Sequence, residues 1–323
     1  MLTTHPIYDI IIMPFQGLKA SAAAELIREE KGMEQYRAPI SIRPYRVIFD
    51  GFRASYADFY EHPEKYDEEP FRIFGNLYYV GDKKVCRHLI DTGDGLLMFD
   101  VGYGNNLPSI EASIRKLGFD PKDIKCIIIS HGHFDHFGGA NELREKYGCR
   151  IFMSRVDADL IEERPDRALV FLGPDPDGKI CLPDEKIDDG DVITLGNVRI
   201  RCVAAPGHTM GTMAFFFDAT DGKTTHSVGY FGGVGFFTVH KEHSRDFGLP
   251  ENKCELLKET IERLLKESPE IMIGNHPHNN GTIQKAEYMR EHPGSNPFID
   301  KDAWPTFLKD LEIKRRQFEE LGY

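Results

Sequence analysis

Hydrophobic positions in this chain fall into short runs that end in glycine or in a polar cluster, and the period within each run predicts its element. Phe71 to Val80, Val85 to Ile90 and Leu96 to Gly102 are strand-like, with Thr92-Gly93-Asp94-Gly95 as a turn, so this region predicts a meander. Leu107 to Leu117 predicts a helix, with Pro108 in its first turn and Gly118 after its end. The β-branched run Ile124 to Ile129 predicts a strand buried on both faces. A helix from Gly139 to Tyr147, a strand from Cys149 to Met153 and a helix from Arg155 to Glu163 follow. Phe171 to Asp191 is a long connection rich in Pro, Gly and Asp, and such loops often border active sites. Val192 to Val203 predicts a hairpin about Gly196-Asn197, and Met213 to Phe217 pairs with Ser227 to Phe231 across Asp221-Gly222. Cys254 to Lys266 and Asp302 to Leu321 are amphipathic helices, with the strand Glu270 to Gly274 between them. Two β regions with helices between and after them predict an α+β sandwich, two sheets face to face with helices outside.

The first part of the chain follows a different pattern. Ala20 to Lys31 predicts a helix ended by Gly32, Ile40 to Phe52 one or two strands, and Tyr56 to Tyr66 alternates aromatic and charged residues. We read 1–68 as an N-terminal extension packed on a main domain spanning 69–323. Core packing is the ordinary use of such aromatic residues; a substrate cleft or a homo-oligomer contact are the functional uses.

Composition narrows the classes. With 41% hydrophobic and 28% charged residues over 323 positions, the chain reads as globular rather than disordered. A formal net charge of −12, without a Lys/Arg block, gives no source for phosphate neutralisation, so nucleic-acid partners are not expected. The six cysteines are single and lie partly in apolar runs, as reduced core residues do. No apolar run reaches the roughly 18 residues of a membrane span, and no basic segment precedes Tyr8 to Phe15, so the expected location is cytoplasmic, without membrane association.

The chemistry gathers where strands stop. Ser130-His131-Gly132-His133-Phe134-Asp135-His136 places three histidines and one aspartate within six positions after a buried strand. The period-two spacing of His131, His133 and Asp135 aims them to one side of an extended backbone, and His136 can reach a second ion beside the first. A second strand ends in Pro206-Gly207-His208-Thr209, and a third in Asn275-His276-Pro277-His278. Asp100, after four apolar residues, can hold the metal loop or simply form a turn. Tyr103 and Tyr230 can donate to a reaction intermediate or pack in the core, and His278, His240 and His243 are spare candidates for surface or supporting roles.

The H-x-H-x-D-H run, the Pro-Gly-His-Thr loop and the late histidine, in this order, resemble the metallo-β-lactamase superfamily from about residue 70 onward. Phe71 to Gly81 and Asn275-His276-Pro277 look most like the third subclass of the class B β-lactamases. The resemblance implies a four-layer αββα sandwich and two Zn(2+), with Fe or mixed Fe/Zn as alternatives. It implies His131, His133 and His208 as ligands of one ion, and Asp135, His136 and His276 as ligands of the other. One departure stands out: many members bridge the ions with an aspartate after the third histidine, and here that region reads Phe231-Gly232-Gly233-Val234-Gly235. This lowers the weight of lactonase and thioesterase readings. The expected activity is hydrolysis of an amide or ester carbonyl by a metal-bound hydroxide, available at neutral pH because metals lower the pKa of water to about 7. Asp135 would orient the nucleophile and accept its proton. The positive charge of two ions suits a small anionic substrate. The alternatives are a non-haem iron oxidoreductase, which Asp135, His136 and His276 also suit, and a non-catalytic metal or small-molecule binding module.

Overall fold

The computed structural model describes residues 43–175 and 177–323, and the first element among them is helix α1, Tyr45–Glu61. The strands β1 (Phe71–Phe74), β2 (Leu77–Tyr79), β3 (His88–Asp91) and β4 (Leu96–Phe99) follow, then α2 (Leu107–Lys116) and β5 (Ile124–Ile128). Next come the single turn α3 (Phe134–Phe137), α4 (Ala140–Tyr147), β6 (Arg150–Ser154), α5 (Arg155–Glu163) and β7 (Glu185–Ile187). The second half holds β8 (Val192–Leu195), β9 (Val198–Ala204), β10 (Met213–Thr220), β11 (Thr225–Phe231), α6 (Lys241–Phe247), α7 (Lys253–Leu264), β12 (Ile271–Gly274), α8 (Thr282–Glu291) and α9 (Ala303–Glu320).

The strands form a seven-stranded sheet in the order β1 to β7 and a five-stranded sheet in the order β12-β11-β10-β9-β8. Antiparallel meander pairing gives way to parallel pairing at β4-β5 and continues through β6 and β7, and β11-β12 is also parallel. The apolar residues sort into three layers. Leu97, Phe99 and Ile128 of the first sheet meet Phe215, Tyr230 and Ile273 of the second between the sheets. The outer face of the first sheet packs on helical residues such as Ile110, Ile114, Leu143 and Ile161, and that of the second packs on Leu257, Trp304 and Leu308. This is the expected αββα sandwich. Trp304 is buried, and its Nε1 donates to Leu264 O (2.9 Å), tying α9 to the end of α7.

Two local readings need correction. The stretch read as strand from Ile40 is helical from Tyr45, with Pro44 as its N-cap, and residues 40–42 lie outside the described residues, as does the helix read from Ala20. The deciding signal was Tyr45, Phe49, Phe52, Tyr56 and Phe59, spaced three and four apart as on one helix face. Phe71 to Val80 is a hairpin rather than one strand: Phe74 pairs with Leu77 across Gly75, which adopts φ +53°. Among the described residues, no helix is long and apolar enough to cross a membrane.

Candidate metal centre

Four strand ends deliver the polar residues to one edge of the sandwich. His131 to His136 follow β5, His208 follows β9, Gly232 to Gly235 follow β11 and Asn275-His276 follow β12. The first loop is not extended throughout. His133 is the extended residue before α3, and the helical turn, not a period of two, presents Asp135 and His136.

His131 Nε2 lies 3.0 Å from His133 Nδ1, which lies 3.2 Å from His208 Nε2. The far nitrogens fix the tautomers: His131 Nδ1 donates to Gly232 O (2.7 Å) and His208 Nδ1 to Gly235 O (2.8 Å). The Nε2 atoms of both rings are therefore bare lone pairs pointing at a common centre. Burial, helped by the neighbouring imidazoles, holds His131 and His133 well below the usual imidazole value, and burial takes His208 down to about 4. Two bare Nε2 lone pairs facing the Nδ1 of a third neutral ring form a donor set that one cation can join. Tetrahedral zinc with bonds of 2.0–2.1 Å would set its nitrogens about 3.3 Å apart, close to the spacings seen. The donor set fits a metal ion.

A second group of donor atoms within 4.8 Å of one another comprises His131, Asp135 and His136. Asp135 Oδ2 is 3.2 Å from His136 Nε2 and 3.5 Å from His276 Nε2, and the two rings stand edge to face with centroids 5.1 Å apart. Again the distal nitrogens are held, His136 Nδ1 by Asp100 Oδ2 (2.7 Å) and His276 Nδ1 by Lys84 O (2.8 Å). Burial alone would lower His136, but the carboxylates of Asp135 and Asp100 outweigh it and push the ring up to about 10. Burial would likewise raise Asp135, yet His136 and the other rings hold it below the usual carboxylate range.

Asp100 is the hub behind this group. Buried and at φ +53°, it accepts from Ser130 N (2.7 Å), Ser130 Oγ (2.8 Å), His136 Nδ1 (2.7 Å) and Tyr230 OH (2.7 Å). Tyr230 therefore serves Asp100 and does not face an intermediate. Tyr103 is packed among Tyr56, Phe59 and Phe134, with its hydroxyl buried. His278 lies over His276, ring centroids 5.4 Å apart, and lines the cleft above the donors. His240 and His243, read as surface or supporting residues, are buried, His240 against Arg43 O (3.0 Å) and His243 against Lys253 Nζ (3.3 Å).

The sequence reading missed Asp157. Its buried carboxylate accepts from Gly132 N (2.7 Å), Thr209 Oγ1 (2.7 Å) and Gly211 N (2.8 Å), so one residue of α5 pins both histidine loops. The signal was Ser154, three residues earlier, whose Oγ accepts from Asp157 N as a helix cap. A cavity of about 20 Å³, space for one water, separates this region from Lys253. Asn275 was missed too; its Nδ2 donates to Gly232 O (2.8 Å), the carbonyl that orients His131.

Above the donors is a cleft of about 170 Å³, floored by His133, Asp135, His208 and His276 and walled by Phe52, Tyr56, Phe134, Phe237, Leu169 and Val234. Leu169 holds φ +58°, a left-handed conformation that costs a branched residue about 1–3 kcal/mol and is retained where surrounding structure dictates it. The residues just after it are held by α1: Arg53 Nη1 donates to Phe171 O (3.0 Å) and Gly173 O (2.5 Å), and Tyr60 OH to Leu172 O (3.0 Å).

A two-sheet sandwich with these histidine loops at its edge defines a class. The family model of the metallo-β-lactamase superfamily matches residues 88–221, which include His131 through His208, and the fold matches that of the superfamily. Within it, the solved structures that this chain resembles include subclass B3 metallo-β-lactamases. The metallo-β-lactamase GOB-18 from Elizabethkingia meningoseptica is 27% identical with a TM-score of 0.67, covering 79% of this chain and 93% of that one. BJP-1 of Bradyrhizobium japonicum, a subclass B3 enzyme, is 26% identical with a TM-score of 0.67, covering 79% and 95%. Among curated relatives, a hydroxyacylglutathione hydrolase of Bradyrhizobium sp. (strain ORS 278) is 30% identical over 113 residues, 35% of this chain and 36% of the relative. The hydroxyacylglutathione hydrolase GloC of Haemophilus influenzae is 31% identical over 115 residues, 35% and 53% respectively. The matched stretch thus spans about a third to a half of these two curated relatives.

Proposed function

We propose that the chain is a metal-dependent hydrolase of an amide or ester carbonyl, β-lactamase-like in reaction type. The observation that carries this is the convergence of His131 Nε2, His133 Nδ1 and His208 Nε2, two of them bared by hydrogen bonds to backbone carbonyls. In this reading these three hold one divalent ion, and Asp135, His136 and His276 hold a second, zinc being the metal that a nitrogen-rich tetrahedral set favours. Such ions, when bound, supply Lewis acidity and lower the pKa of water from 15.7 to about 7.

The chain's own residues do the rest. The Asp135 carboxylate, at the floor of the cleft, orients the attacking water and receives its hydrogen bond. Asp100 keeps His136 turned toward Asp135, and Gly232 and Gly235 keep the other rings turned inward, so the donors need no rearrangement during turnover. His278, on the cleft wall, can donate to the oxygen that gains charge as the carbonyl is attacked. The segment Phe231 to Gly235, which runs past His208 and reaches the cleft at Val234 and Gly235, carries no carboxylate, and this supports the β-lactamase-like over the thioesterase-like reading. The test is metal analysis of the purified protein, with hydrolysis of a nitrocefin and lactone panel before and after chelation. Bound zinc with chelator-sensitive hydrolysis supports the proposal. Iron with oxygen-dependent turnover would support the oxidative reading that Asp135, His136 and His276 also permit, and metal without turnover would support a binding module.

A further inference from the structure

We infer that the cleft takes a small carbonyl substrate whose non-reacting arm is uncharged and aromatic, gripped by Phe52 and Tyr56 of α1; this rests on the hydrolase reading above. Helix α1 divides its aromatic residues by task. Tyr45 and Phe59 are each 1% exposed and satisfy the core, whereas Phe52 and Tyr56 are only half-buried and line the cleft. One helical turn apart, the two rings lie parallel, with centroids 4.7 Å apart and an interplanar angle of 8°. Phe134 and Phe237 approach Phe52 edgewise and tilted, at 6.3 and 6.1 Å. Ring faces and edges on three elements suit a flat apolar group.

Size and charge narrow the class. At about 170 Å³ the cleft is close to an apolar cavity of about 150 Å³ that takes up benzene, and well below the range of about 300–1,000 Å³ of drug-sized pockets. Among the described residues lining it, Asp135 is the only Asp or Glu, and no Lys or Arg is present. Lys84 Nζ sits over the rings of Tyr56 and Tyr66, at 5.0 and 4.7 Å, and is not part of the lining. A carboxylate on the substrate would meet no side-chain cation here, in a chain of net charge −12. An anionic substrate, expected from the charge of two ions alone, is therefore disfavoured by the wall.

The test separates arm from metal. Benzyl mercaptan and mercaptoacetate both present a sulfur that binds soft or borderline metals, and differ in the arm, one aromatic and neutral, the other anionic. Calorimetric titration of the zinc-loaded protein should show benzyl mercaptan binding about tenfold tighter. Phe52→Ala and Tyr56→Ala should remove about that factor for benzyl mercaptan while leaving mercaptoacetate nearly unchanged, which also shows that the variants are folded. Phe52→Leu, which keeps apolar bulk without a ring, should fall between. Equal affinities, or a benzyl preference indifferent to both substitutions, would overturn the inference and leave the metal reading standing. Tighter mercaptoacetate binding that Lys84→Ala abolishes would overturn it by bringing that ammonium into the cleft. Failure of both thiols to bind would remove the metal reading on which the inference rests.

Discussion

Replacing Asp157 by alanine tests whether the two histidine loops are held by one carboxylate. Three donors lose their acceptor, but Thr209 Oγ1 already has Thr212 Oγ1 at 2.7 Å, so only the N–H groups of Gly132 and Gly211 are left unpaired. A buried donor left unsatisfied costs about 1–3 kcal/mol, which bounds the loss at about 2–6 kcal/mol. Two effects pull it toward the lower end. Burial raises the Asp157 carboxyl above its usual range, so its removal relieves a desolvation cost, and the adjacent cavity of about 20 Å³ can pass a water into the vacated space. We expect about 2–3 kcal/mol in urea unfolding of the metal-free protein. Because Gly132 sits between two donor histidines and Gly211 lies three residues past the third, zinc affinity should also fall, by about 10–100-fold. Asp157→Asn should lie between, since its amide nitrogen confronts a donor. Stability within about 0.5 kcal/mol of wild type together with unchanged zinc affinity would refute the reasoning.

Burial lowers Lys253 to about 7, against the attraction of Asp157. Between about pH 7 and the unfolded value of 10.5 the unfolded chain binds more protons, so stability should rise with pH, by up to about 1.4 kcal/mol per unit. Urea midpoints of wild type and Lys253→Met from pH 6 to 8.5 should show the slope only in wild type. Without a bridging carboxylate at Val234, the ion assigned to Asp135, His136 and His276 should leave first on dialysis against a mild chelator. His276→Ala should lose that ion alone, and Val234→Asp should retain it longer, all read by metal analysis. Two ions lost together in wild type and His276→Ala would move the ligand role elsewhere. Tyr230→Phe removes one of four donors from Asp100 and should cost about 1.5–3 kcal/mol in thermal unfolding; no change would mean that Ser130 and His136 suffice.

What the sequence disclosed depended on whether the information was local. Strand runs and the H-x-H-x-D-H cluster are contiguous, so β5, its loop and the histidine-tipped strand ends could be read directly. Helix α1 was misread because its aromatic stripe finds partners, Phe134 and Phe171, that lie far along the chain. Asp157 has an ordinary local role as part of a helix cap, and nothing near it in sequence shows that its carboxylate reaches 25 and 52 residues away. Asn275 could be seen in its motif, but its bond to Gly232 O required β11 and β12 to be paired first. Tyr230 was read within the strand Ser227 to Phe231; only the packing of the two sheets shows that it reaches Asp100.

The order of strands carries a last consequence. The chain completes the seven-stranded sheet at Glu185–Ile187 before it begins the five-stranded one at Val192, so each sheet is a continuous length of polypeptide. His131, His133, Asp135 and His136 lie on the first length, and His208 and His276 on the second. Neither length can complete the donor set alone. An ion shared between them would act as a rivet through the seam, so that two fragments made by cutting near Asp188 to Asp191 would hold to each other more tightly with zinc than without it.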